Sequence, residues 1–306
     1  MATVSKTRYD RVMNGAAYWG AYYRENPALF VEEYLHIKLK LFQKILITMM
    51  MMSTTFAFIA ARGLGKTYLS AIYCCVRCIL YPGTQICIAS SVRSQAMLVL
   101  EKIMLELKPK SAELRSEINE KDSKQNGTDA IIVFHNRSTI KVVTAKDSSR
   151  GNRCNVLLLD EFRLIPFDIV DTILRKFLNY RRMPEYSELT DEERKVEYNK
   201  EKNLMLLLSS AHFKDGWAYS KCVDTFKGML RDGTRHFVCG FPYQLSIKEG
   251  LLDPEQVADE MAESNFSEVK WSINSFPCSL NPLNLVCLRG VALDAANGET
   301  LNAICA

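Results

Sequence analysis

The chain has 306 residues, 48% of them apolar and 24% charged, and a net charge of +4. That size holds one large globular domain, or one domain with a smaller appendage. The slight basic excess permits a nucleic-acid partner without demanding one. Met1 to Tyr9 lack the apolar segment of a secretory signal. The uncharged, methionine-rich run Ile45 to Ala61 falls short of the ~20 apolar residues a bilayer requires and is broken by Ser53-Thr54-Thr55, so no membrane span is expected. The ten cysteines are scattered. Cys75-Val-Arg-Cys78 has the C-x-x-C form, but no second pair or nearby histidine completes a zinc set. These thiols are expected as small apolar residues on a buried helix in a reducing cytoplasm.

In chain order, residues 8–48 read as helical segments, with Tyr18, Tyr22 and Tyr23, then Phe30, Val31 and Tyr34, spaced along helical faces. Residues 1–40 are taken as an N-terminal helical segment. Phe56–Ala60 is a short apolar strand, Gly63–Lys66 a turn, and Thr67–Leu80 a helix ended by Pro82-Gly83. A strand over Gln85–Ala89 precedes a helix over Ser94–Leu107. Ala130–Phe134 and Thr139–Thr144 form a hairpin around Asn136-Arg137, at an edge of the sheet. Asn155–Leu159 and Leu204–Leu208 are two more buried strands. Between them, Thr190-x-x-Glu193 has the capping-box form, and the mixed charges of Glu185–Lys202 suit a solvated face. Continuous apolar strands alternating with helices predict an α/β fold, a mainly parallel sheet covered on both faces. The catalytic domain is expected over residues 41–245, with 246–306 forming the rest of a lid and an atypical tail. From Phe276 onward only Arg289, Asp294 and Glu299 are charged.

Two motifs carry chemistry. Ala60-Ala61-Arg62-Gly63-Leu64-Gly65-Lys66-Thr67 lies between a strand and a helix and matches the phosphate-binding (Walker A) loop except at its first glycine. Backbone N–H groups of Ala61, Gly63, Leu64 and Gly65 at a helix N-terminus suit phosphate oxygens. Lys66 would reach the β- and γ-phosphates, and the Thr67 hydroxyl would ligate Mg²⁺. Val156-Leu-Leu-Leu-Asp160-Glu161 delivers two carboxylates at the C-terminal end of an apolar strand, a Walker B pattern. Side chains diverge there, so Asp160 can hold Mg²⁺ while Glu161 polarises the attacking water. Arg62 could neutralise charge developing on the γ-phosphate, and Arg150, before the acidic strand, could be a second cation. Ser209-Ser210 could sense the γ-phosphate. Gln43 could pair with the adenine N6 and N7 edge.

The order of these motifs resembles the ATPase half of the large terminase subunit of tailed bacteriophages, the DNA-packaging motor. The resemblance rests on Leu41-Phe42-Gln43, Ala61–Thr67 with its loop arginine, Ser149-Arg150-Gly151-Asn152, Leu157–Phe162 followed by Ile165-Pro166, and Leu207–Ala211, which looks like the family's coupling motif. It covers roughly residues 35–245. It implies a P-loop NTPase of the additional-strand catalytic-glutamate type, with ATP and Mg²⁺ as cofactors. Residues 212 to about 270 would be a lid that moves with the nucleotide. It further implies a homo-oligomeric ring, a portal protein and a small terminase subunit as partners, and double-stranded DNA as the translocated cargo, in the cytoplasm of the bacterial host. Arg93 and Arg153, on loops near strand ends, are candidate DNA-facing residues. The family's nuclease domain is not expected here, because no carboxylate after Asp253 ends a convincing apolar strand. Two other readings share these motifs: a helicase-like nucleic-acid-dependent ATPase, and an inactive nucleotide-binding ring or scaffold remnant.

Overall fold

A computed structural model describes residues 8–61, 63–124, 130–146, 149–182, 201–210, 216–232 and 235–262. The expected capping box at Thr190, the loop arginine Arg62 and the tail beyond residue 262 lie outside them.

Seven strands form one sheet: β1 (Thr55–Ala60), β2 (Gln85–Ser90), β3 (Ile131–Val133), β4 (Thr139–Thr144), β5 (Val156–Asp160), β6 (Leu204–Ser209) and β7 (His236–Phe241). Their spatial order is β3-β4-β2-β5-β6-β1-β7. Every pair is parallel except β3 with β4, the expected hairpin, which occupies one edge. Arg137 turns that hairpin at φ +65°. The other edge, β7, carries no continuous apolar run and is half-exposed along much of its length, so it has no pattern comparable to those of the inner strands.

Side chains alternate across the inner strands into two cores. On one face Phe56, Phe58, Ile86, Ile88, Val156, Leu158 and Leu206 pack against the helices α2 (Leu41–Met52), α3 (Lys66–Leu80) and α4 (Arg93–Glu101). On the other, Ala57, Ile59, Cys87, Leu157, Leu159 and Leu207 meet Phe162, Val170, Leu174 and Phe177, and Cys222 of α5 (Trp217–Asp232). Burial on both faces explains why these strands read as unbroken apolar runs. Phe30, Val31, Leu35 and Ile37 join the first core, so the segment after α1 (Arg8–Glu25) is packed onto the catalytic sheet. The run Met49–Met52 largely serves as core filler: Met50 and Met51 are buried, while Met52 is exposed. Cys74, Cys75 and Cys78 are buried free thiols on α3.

Polar pins hold the strands in register. Asn155, buried ahead of β5, accepts the Gln85 N–H on its Oδ1 at 2.8 Å, and its carbonyl accepts the Leu204 N–H at 2.9 Å. Three strands therefore begin from one residue. At the same end, Glu201 pairs with Arg77 at 2.6 Å and with Arg182 at 3.0 Å. Arg77 also lies over the Tyr81 ring at 3.7 Å.

The decisive feature is the place of β6. It lies between β1, which leads into the phosphate loop, and β5, which ends in the acidic pair. This is the additional strand of the expected P-loop class, and it brings Ser209 and Ser210 between the two motifs.

Candidate active site

After Ala60 the chain leaves the sheet, with the Ala61 N–H still bonded to the Phe241 carbonyl at 3.2 Å. Gly63 and Gly65 then adopt φ +80° and +71°, left-handed conformations that glycine reaches without the Cβ clash. Leu64 anchors the loop by burying its side chain. Gly65 is the N-cap of α3, so the helix begins at Lys66 with its first N–H groups directed at the loop. Thr67 is half-buried in the first turn.

Across the sheet edge, β5 ends at Asp160, which is 6% exposed. Glu161 follows at φ +46°, ψ +48°. A left-handed non-glycine costs on the order of 1 kcal/mol, and it redirects the side chain away from that of Asp160. The result is a Glu161 Oε1 to Lys66 Nζ distance of 3.7 Å. Lys66 also donates to the Ala60 carbonyl at 3.4 Å. The lysine-tipped turn and the glutamate thus face one space, as the motif pair requires.

The Glu161 carboxylate is held closely. Ser209 Oγ donates to Oε2 at 3.0 Å, the Ser210 N–H to Oε2 at 3.3 Å, and Ser210 Oγ to Oε1 at 3.1 Å. The serines expected at the γ-phosphate therefore contact the glutamate itself. Arg163 Nε lies 3.5 Å from Oε2. This arginine escaped the sequence reading because nothing in Phe162-Arg163-Leu164 marks it; its position follows from the left-handed Glu161 and the 3-10 turn after it.

The electrostatics divide the two carboxylates. Burial, then the charge of Glu161, pushes the Asp160 carboxyl up to about 6, against the pull of Lys66. Burial acts in the same direction on Glu161. There it is outweighed by Lys66, the Ser210 and Ser209 donors and Arg163, so its carboxyl lies below the ordinary value. Burial lowers Lys66 from the usual lysine range, partly offset by Glu161 and Asp160.

The remaining candidates lie further out. Gln43 is in the first turn of α2, where its Oε1 accepts the Lys40 N–H at 2.9 Å and caps the helix. Lys40 pairs in turn with Glu249 at 3.3 Å. The adjoining Leu251 and Leu252 lie over Gly63, where an added Cβ would meet Leu252 Cβ at 3.4 Å. Arg150 is exposed beyond β4. It belongs to the connection from β4 to β5, which lie two strand positions apart in the sheet. Among the described residues no group of His, Cys, Asp and Glu forms a ready-made metal cage. No described helix is long and apolar enough to cross a membrane.

Comparisons with known proteins agree with this geometry. Residues 57–182 match the family described as terminase large subunit, T4likevirus-type, N-terminal. The fold is similar to the large terminase ATPase domain of Thermus phage P74-26, with a TM-score of 0.55 and 12% identity over 78% of this chain and 93% of that one. It is also similar to the HK97 bacteriophage large terminase, with a TM-score of 0.53 and 16% identity over 78% of this chain and 50% of that one. A large terminase from a thermophilic bacteriophage gives 0.53 at 12% identity, over 75% and 52%. The chain thus spans about half the length of the latter two proteins. No curated protein sequence matches it. Residues 57–182 thus match the N-terminal model of the terminase large subunit family, and the chain as a whole shares the fold of large terminase ATPase domains.

Proposed function

We propose that the chain is an ATP-hydrolysing motor subunit of the large-terminase kind, whose turnover drives double-stranded DNA into a viral procapsid. The observation that carries this reading is the 3.7 Å approach of Glu161 to Lys66 across the C-terminal edge of the sheet, with Asp160 beside them. Residues 41–245 would form the catalytic domain, the segment before them an N-terminal brace, and residues 246–306 the rest of a lid and a tail.

The donor set fits ATP with Mg²⁺. The left-handed glycines leave backbone N–H groups open to phosphate oxygens, and Lys66 supplies a cation at the same turn. The Thr67 hydroxyl and the Asp160 carboxylate are hard oxygen donors suited to Mg²⁺. A divalent cation would return the Asp160 carboxyl, pushed up to about 6, to its ionised form. When bound, Mg²⁺ would neutralise charge on the β- and γ-phosphates. Lys66 would move from Glu161 onto the phosphates. Glu161, kept ionised by Ser209, Ser210 and Arg163, would accept a hydrogen bond from the attacking water and align it in line with the γ-phosphate. Because the serines hold this carboxylate and end β6, a shift of β6 would reach the base directly, the physical basis for a coupling role.

Arg62 completes the proposed set as a cation on the γ-phosphate. Arg150 would supply a second cation, and the assembled motor would be a homo-oligomeric ring. Gln43 would read adenine through its amide nitrogen, since its carbonyl oxygen caps α2. The portal protein and small terminase subunit are the proposed partners, in the host cytoplasm.

Steady-state ATP hydrolysis with and without duplex DNA tests the reading. Turnover that rises with DNA supports it, and tight nucleotide binding with no turnover under either condition overturns it.

A further inference from the structure

The two oxygens of Glu161 have different surroundings. Oε2 collects Ser209 Oγ, the Ser210 N–H, the longer contact of Ser210 Oγ and Arg163 Nε, whereas Oε1 faces the shorter contact of Ser210 Oγ and Lys66. One oxygen is therefore anchored to the protein, and the other is turned to the phosphate loop. Arg163 has a further peculiarity. Its Nε is buried and has no hydrogen-bond acceptor among the described residues, lying 3.5 Å from Oε2 at ion-pair rather than hydrogen-bond distance. A buried guanidinium N–H left without an acceptor costs free energy, and the nearest acceptor it could close upon is Oε2.

In the proposed reaction, on which this inference rests, the Lys66 ammonium goes to the β- and γ-phosphates, and Glu161 loses its nearest cation. A buried carboxylate beside an incoming triphosphate would then be repelled by like charge unless a second cation stayed behind. From this arrangement we infer that Arg163 is a positioning residue which replaces Lys66 as the counter-ion of Glu161 when nucleotide is bound. Closing onto Oε2, its guanidinium holds the carboxylate in place with Oε1 directed at the water. Arg163 touches neither nucleotide nor water; it acts through Glu161. Its place in the turn Phe162–Leu164, immediately after the left-handed Glu161, fixes the reach of the side chain.

The test compares Arg163→Ala, Arg163→Lys and Glu161→Gln with the unmodified chain, reading kcat and KM for ATP, and the affinity for a non-hydrolysable ATP analogue by calorimetry. The expected result for Arg163→Ala is a fall in kcat of about tenfold or more, with analogue affinity unchanged within about twofold. Arg163→Lys, which restores a point charge without the planar fork, recovers a substantial part of kcat. A merely structural role would lower analogue affinity in parallel, and the lysine variant would give no selective recovery of kcat. Either a normal kcat in Arg163→Ala or a parallel loss of analogue binding overturns the inference. If Arg163→Ala does not fold, the lysine variant decides: normal analogue affinity with kcat between those of the unmodified chain and Glu161→Gln supports it, and any other pattern overturns it. Glu161→Gln separates the two levels. If that variant is inactive while Arg163→Ala is normal, only the role of Arg163 falls; if it turns over normally, the proposed reaction falls, and this inference with it.

Discussion

Asp160 and Glu161 share a peptide bond and have opposite acidities: the first carboxyl is pushed up to about 6, and the second is held below its ordinary value. The left-handed backbone at Glu161 separates them, leaving Asp160 with burial and a neighbouring negative charge while Glu161 receives the serines and both cations. One is suited to meet a metal ion, the other to remain an ionised base.

This contrast gives a pH-dependent stability. The Asp160 carboxyl is raised from 3.8 to about 6 in the folded protein. The stability linked to its proton is therefore fully present below the unfolded value and is lost as pH rises through the folded one. At about pH 8, with divalent cations chelated, Asp160→Asn is expected to be more stable than the unmodified chain by on the order of 2–3 kcal/mol. The gap should narrow towards about pH 4. Thermal unfolding across that range measures it, and a pH-independent difference would remove the buried charge as its cause.

Lys66→Ala should abolish nucleotide affinity, since the turn loses the one described cation aimed into it. Titration calorimetry with an ATP analogue checks this. Binding at unmodified strength would show that the phosphates are held elsewhere.

Much of this site was legible before any coordinates, for a physical reason. A phosphate loop and an acidic strand end are local devices: each needs its residues at fixed spacing between a buried strand and a turn, so each leaves a compact trace such as Gly63–Thr67 or Leu157–Glu161. What was not legible depends on contacts between distant segments. The strand β7 is half-exposed and lacks an unbroken apolar run. The pairing of Ser209 and Ser210 with Glu161 follows from β6 lying between β1 and β5, an order that strand patterns alone do not reveal. Arg163 meets Glu161 from the turn that follows its left-handed backbone, a conformation that glutamate rarely signals.

Ser210→Ala removes a hydroxyl bonded to both Glu161 oxygens, at 3.1 and 3.4 Å. Hydrogen bonds to a charged group are worth about 1.5–3 kcal/mol, so hydrolysis should slow by roughly 10- to 100-fold with nucleotide affinity retained. Stopped-flow product release alongside calorimetry distinguishes the two effects. A variant that binds poorly yet turns over at the normal rate per bound nucleotide would place Ser210 at the phosphate rather than at the base.

Gly65→Ala separates space from backbone strain. At φ +71° the added Cβ would meet only Tyr68 Cβ, at 3.9 Å, so room is available and the cost is conformational, about 1–2 kcal/mol. Denaturant unfolding should show this loss with an unchanged slope. No loss at all would mean that the loop adopts a different backbone in solution.

The most direct measurement is the hydrolysis rate of Glu161→Gln set beside its affinity for ATP. Glutamine is nearly the same size and can still meet Ser209 and Ser210, but it cannot act as a base. Affinity close to that of the unmodified chain, with turnover lower by at least ~10²-fold, is the expected result. Turnover near the unmodified rate would contradict the assignment of Glu161 as the group that activates water across from Lys66.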